Sequence, residues 1–159
     1  MENKKSLSTL LFALALLLFV CATFAMFGQV VSYSGAVQPF PNMFQAAFNT
    51  VIAEGSRTPG LTAVFVFQLI IVTDVFAIIF GAVTNKFHFV LTIVLYGIAC
   101  LCSFIALIIS FNALNLYGSS GHLVELDYKL GPGPIAYSVL HILGLVSSVA
   151  GLVMSRLKA

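Results

Sequence analysis

Four apolar stretches, each roughly 21–23 residues long and almost free of charge, make up more than half of this 159-residue chain. They run Leu10–Val31, Leu61–Val83, Phe89–Phe111 and Pro134–Met154. About 20 residues at ~1.5 Å each cover the ~30 Å hydrocarbon core of a bilayer, so each stretch is long enough to cross one. Inside lipid a segment must satisfy its own backbone polar groups, and a single segment does so only as a helix. The expected fold is therefore an all-α membrane protein, a four-transmembrane-helix antiparallel bundle forming a single domain over residues 1–159.

The chain is 60% hydrophobic and 8% charged, against about 25% charged residues in a soluble domain. A chain this short has too little interior to hide so much apolar surface from water. The net charge of +2, with no cluster of Lys and Arg, argues against a nucleic-acid partner. The bilayer itself is the expected surrounding, with other membrane proteins or further copies of the chain as neighbours. Lys4 and Lys5 precede the first stretch. Its apolar run to Phe27 exceeds the ~7–15 residues of a cleavable signal core, so an uncleaved anchor is expected. Cys21, Cys100 and Cys102 lie within the stretches and not in the loops. That placement suits small packing residues rather than a secreted disulfide framework.

Basic residues set the orientation. With both termini and the central turn Thr84–His88 in the cytoplasm, Lys4, Lys5, Lys86, Arg156 and Lys158 are inside, and only Arg57 and Lys129 are outside. This is the bias that the positive-inside rule requires. A multi-pass protein of the plasma membrane is the expected localisation.

Both outer loops carry patterns. Asn42–Glu54 places Met43, Phe44, Ala47, Phe48, Val51 and Ile52 on one helical face, with Gly55 as a stop. This predicts a short amphipathic helix at the outer interface, with Phe44, Phe48 and Ile52 against lipid or the bundle top. In Leu123–Leu130, apolar and charged residues alternate, which predicts a strand. A lone strand leaves its backbone unsatisfied, and Gln29–Val37 is the expected mate in a small outer hairpin-like pair.

Polar groups within the stretches are the candidate site. Asp74 is the one acid inside a stretch, and an intramembrane acid is a functional-site hypothesis by default. At ~1.5 Å per residue it lies roughly 20 Å from the outer face, level with Tyr96 and with Ser147 and Ser148. A protonated Asp74 bonded to such neighbours is expected to hold the bundle together, with a proton or cation relay and a contact to another subunit as the alternatives. Gln68 and His141 share a level nearer the surface and are expected to pair. Tyr33, Tyr117, Tyr128 and Tyr137 are expected at the outer boundary, where no Trp is present to anchor. Ala77 and Gly81, Gly144 and Ser148, and Ser147 and Gly151 follow the small-xxx-small spacing that lets helix backbones approach. His88, His122 and His141 sit in separate segments, and GxSxG, HExxH and a glycine-rich phosphate loop do not occur. No catalytic, cofactor or metal residues are expected, and no enzyme activity.

The strand at Leu123–Leu130, the run Leu130-Gly131-Pro132-Gly133-Pro134 and the small-residue-rich stretch Ala136–Gly151 resemble the claudin/peripheral-myelin-protein-like tetraspans, whose plan amastins share. MARVEL-type tetraspans are similar in span number. The first outer loop departs from the claudin pattern, with neither its Trp nor its Cys pair. The resemblance implies a non-enzymatic scaffold that organises membrane or neighbouring proteins by lateral packing and through its outer loops. Two other readings stand beside it: an accessory subunit of a larger membrane complex, and a small proton- or ion-coupled carrier centred on Asp74.

Overall fold

A computed structural model describes residues 2–32, 41–48, 59–84, 89–117 and 129–156 of the chain. Four long helices dominate: α1 (Glu2–Ala25), α3 (Pro59–Thr84), α4 (Phe89–Phe111) and α6 (Pro132–Arg156). Each contains an uncharged or nearly uncharged window of 19 to 23 residues, long and apolar enough to cross a membrane. The short elements are α2 (Met43–Phe48), α5 (Ala113–Tyr117) and the two-residue strands β1 (Val31–Ser32) and β2 (Lys129–Leu130).

The long helices close into a ring in the order α1, α3, α4, α6, with α6 returning to α1. Neighbours are antiparallel. Ser8 near the start of α1 bonds to Gly151 near the end of α6, while Phe19 further along α1 meets His141 earlier in α6. Gly60 at the start of α3 likewise touches Ile109 at the end of α4.

Much large apolar surface faces outward, as a bilayer allows, and small residues are prominent in the interior. Large apolar side chains point outward, with Phe24 69% and Phe104 64% exposed. The interior is rich in Ala15, Ala22, Ala99 and Ala106 and in Ser8, Ser103, Ser110, Ser138 and Ser148, all buried. Lipid is as apolar as Leu, so helix association there depends on close packing and hydrogen bonds instead of hydrophobic expulsion. Small residues permit that packing, as the small-xxx-small spacing anticipates. A Cβ on Gly144 would lie 2.8 Å from the Phe19 ring, and one on Gly151 would lie 3.3 Å from Leu11. Gly81 is buried and Ala77 half-buried on α3.

At one end of the ring, the segment after α1 organises three pieces of chain. The first stretch stops being helical sooner than its hydropathy suggests. α1 closes at Ala25, and turn bonds from Met26, Phe27 and Gly28 replace the helix. Val30 and Val31 are apolar because they are buried at the junction, not because they span. Val31 pairs with Leu130 and Ser32 with Lys129, antiparallel. On its other side the same segment bonds Val30 to Pro41 and Gly28 to Met43. Gly28 meets Gly133 backbone to backbone, so a Cβ at Gly28 would lie 2.7 Å from the Gly133 Cα. Only glycines allow this approach.

The predicted strand Leu123–Leu130 and its mate Gln29–Val37 are thus represented by two paired residues each; residues 33–40 and 118–128 lie outside the described set. The predicted helix Asn42–Glu54 is described as far as Phe48, and Ile52 also falls outside. What starts α2 is a reciprocal cap. The Gln45 amide donates to Asn42 Oδ1 at 2.7 Å, and the Asn42 amide donates to Gln45 Oε1 at 3.0 Å. Two donors that a helix start leaves orphaned are satisfied together. Met43, Ala46 and Ala47 form its buried face, while Phe44 packs against Phe27, Phe48 and Phe65.

Candidate intramembrane polar site

Gln68 sits on the face of α3 that meets α1 and is completely buried. Its Nε2 donates to the Phe19 carbonyl oxygen at 2.6 Å and to Thr23 Oγ1 at 3.1 Å. Its Oε1 accepts from the Tyr137 hydroxyl at 2.9 Å. One amide thereby ties three helices, α1, α3 and α6, and every arm of it is used. A buried amide left unpaired in hydrocarbon would cost several kcal/mol, so full pairing is what makes this residue tolerable there.

His141 is not the partner of Gln68. It lies one turn along α6 from Tyr137, with the two rings stacked at a centroid distance of 5.0 Å, and the Phe19 ring tilts against it at 4.9 Å. The expectation of a Gln68–His141 pair is corrected by Tyr137, whose longer reach from the same face takes the Gln68 oxygen. Tyr137 is completely buried within the bundle. The i, i+4 spacing of Tyr137 and His141 was the available signal, since it places both on one face.

The deeper group also separates. Tyr96 and Ser148 come within 3.5 Å across the α4–α6 contact. Ser148 gives its proton to the Leu145 carbonyl oxygen at 2.8 Å, which leaves Tyr96 as the donor. Ser147, its neighbour, is half-buried. Asp74 joins neither by a hydrogen bond among the described residues. It lies within electrostatic reach of Cys102 on α4, and its buried Oδ2 has no hydrogen-bond partner. The level assigned from sequence could not capture this, because depth fixes position along the axis and leaves rotation about it open.

A second contact between α4 and α6 joins serines that hydropathy alone does not single out. The Ser138 hydroxyl donates to Ser110 Oγ at 3.4 Å, and Ser110 reaches the Pro134 carbonyl oxygen at 3.5 Å. The seven-residue spacing of Tyr96, Ser103 and Ser110 along α4 would have shown it.

Chemically, this interior offers hydroxyls, one amide, one imidazole and one carboxyl. Of the three histidines, only His141 is among the described residues, and no group of three His, Cys, Asp or Glu among those residues could hold a metal ion. The arrangement can bind helices to one another and can hold a proton at Asp74 or His141. No protein-family model, curated protein or solved structure matches the chain.

Proposed function

We propose that this protein is a non-enzymatic multi-pass tetraspan that organises its membrane neighbourhood by lateral packing. The observation that carries the reading is a stripe along α4. Val94, Gly97, Leu101, Phe104, Ile108 and Phe111 are all exposed, and they recur at alternating spacings of three and four. That spacing makes one continuous outward face, which a neighbouring helix or lipid can cover. A Cβ built on Gly97 meets nothing within 4 Å, so the backbone there is open to a close-packing helix. The layout's similarity to claudin/peripheral-myelin-protein-like tetraspans supports the same reading; a plasma-membrane location is part of the proposal, and the basic-residue bias supports placing both termini in the cytoplasm.

Purification from native membrane in mild detergent tests it. Self-association or an assortment of neighbours, reduced by Gly97→Leu, is expected. A single complex of fixed stoichiometry would favour an accessory subunit instead, and a solitary monomer would sink both readings. Orientation is tested by single cysteines at Ser6, Ser56 and Ser119 in a chain lacking Cys21, Cys100 and Cys102. Labelling of position 56 from the cytoplasmic side only would reverse it.

One observation favours a second reading, a proton- or ion-coupled carrier. The buried Asp74 Oδ2 has no partner, and an intramembrane carboxyl that can take and release a proton is a relay element. A proton-coupled flux in reconstituted protein, lost in Asp74→Asn with folding unchanged, would establish that reading over the first.

A further inference from the structure

Among the described residues, two completely buried side chains on facing helices lack hydrogen-bond partners: Ser103 on α4, through its hydroxyl, and His141 on α6, through both ring nitrogens. Their separation along the helices follows from the contacts on either side. Tyr96 meets Ser148 and Ser110 meets Ser138, fixing the register of α4 against α6. Ser103 lies seven residues from both Tyr96 and Ser110, two turns each way on the same face. The position on α6 midway between Ser138 and Ser148 is Leu143, and His141 is two residues from it, or about 3 Å along the axis.

The faces of the His141 ring are covered by Tyr137 and Phe19, so its polar edge is what remains to be satisfied. A neutral imidazole presents one donor and one acceptor, and a serine hydroxyl presents both. Buried groups of this kind are normally paired. A water molecule, itself both donor and acceptor, can satisfy the Ser103 hydroxyl and one His141 ring nitrogen together. We propose that Ser103 and His141 together hold a buried water molecule between α4 and α6. It donates to the unprotonated ring nitrogen and exchanges a hydrogen bond with the serine hydroxyl. The α4–α6 seam then carries three polar ties at regular intervals, the outer two direct and the middle one through water.

The test is water-edited solid-state NMR on the full chain in lipid bilayers with 15N-labelled histidine. The His141 signals are assigned by elimination with His88→Gln and His122→Gln. Magnetisation transfer from water to a His141 ring nitrogen is expected, and in Ser103→Ala it should fall to the level of dry buried residues. No transfer in the unsubstituted chain would overturn the proposal and mean that the Ser103 hydroxyl bonds back to its own helix. Undiminished transfer in Ser103→Ala would overturn it as well, because the water would then be held without Ser103.

Discussion

The Tyr137 hydroxyl reaches across the bundle to Gln68 Oε1 at 2.9 Å, linking the start of the last long helix to the middle of the second. Both side chains are completely buried, so neither has water to fall back on. Tyr137→Phe deletes one bond and leaves Gln68 Oε1 bare, with an expected loss of about 1 kcal/mol. Gln68→Leu strands the tyrosine hydroxyl and also releases α1, and should cost more, about 2–3 kcal/mol. Thermal unfolding in micelles would measure both. Equal and negligible losses would mean that the pairing is incidental.

A pair of glycine substitutions separates close packing from open surface. Gly28→Ala drives a methyl group into the Gly133 backbone, which cannot swing aside as a side chain would. A drop of about 1–3 kcal/mol is expected, the range for overpacked interiors. Gly97→Ala meets nothing within 4 Å and should gain roughly 0.5–1 kcal/mol from helix propensity alone. Melting temperatures of the two variants should move in opposite directions.

Asp74→Leu distinguishes an idle carboxyl from a structural one. Because the buried Oδ2 has no partner among the described residues, and Asp74 is bonded to neither Tyr96 nor Ser148 there, replacing the acid with an apolar group of similar size should leave stability unchanged or raise it. A loss on the order of 1 kcal/mol or more, the size of an intramembrane hydrogen bond, would show that Asp74 is bonded after all. Denaturant titration of the purified variant is sufficient.

The cap of α2 is open to a local measurement. Asn42→Ala removes the acceptor for the Gln45 amide, and a lost N-cap costs about 1 kcal/mol, or about fivefold in a local opening equilibrium. Hydrogen exchange over Met43–Phe48 should accelerate by that factor while the long helices stay protected. Unaltered exchange would mean that packing of Phe44 on Phe65 holds the segment by itself.

The four long helices could be read from the sequence because hydrophobic length is an additive property of consecutive residues, and a bilayer has a fixed thickness. The pairing of the Val31 and Leu130 segments was also accessible, since a strand without a mate is untenable. The end of α1 was harder. Val30 and Val31 extend the apolar run, and hydropathy does not distinguish a valine in lipid from one under a β-pair. Within the candidate site, depth along each helix placed Tyr96 opposite Ser148 but also placed Asp74 beside them and Gln68 beside His141. Those assignments needed helix rotation, which depends on contacts such as Phe19 against Gly144 that involve residues far apart in sequence. Tyr137 is hard to place from sequence because tyrosine favours interfaces, and only its position four residues before His141 signals a shared inward face.

The ring of helices closes through its first and last members, with Ser8 bonded to Gly151 across 143 positions of sequence. On a ribosome, this makes α1 the element that waits longest. Of the four long helices it is made first, yet Gly151 and Gly133, the neighbours of Phe12 and Gly28, do not exist until α6 has been synthesised. Any chain truncated before Pro132 therefore retains a finished first helix with an unfilled seam. Quality-control factors that sense such exposed seams would see every incomplete chain as defective, and completion of the last helix is the event that hides the first.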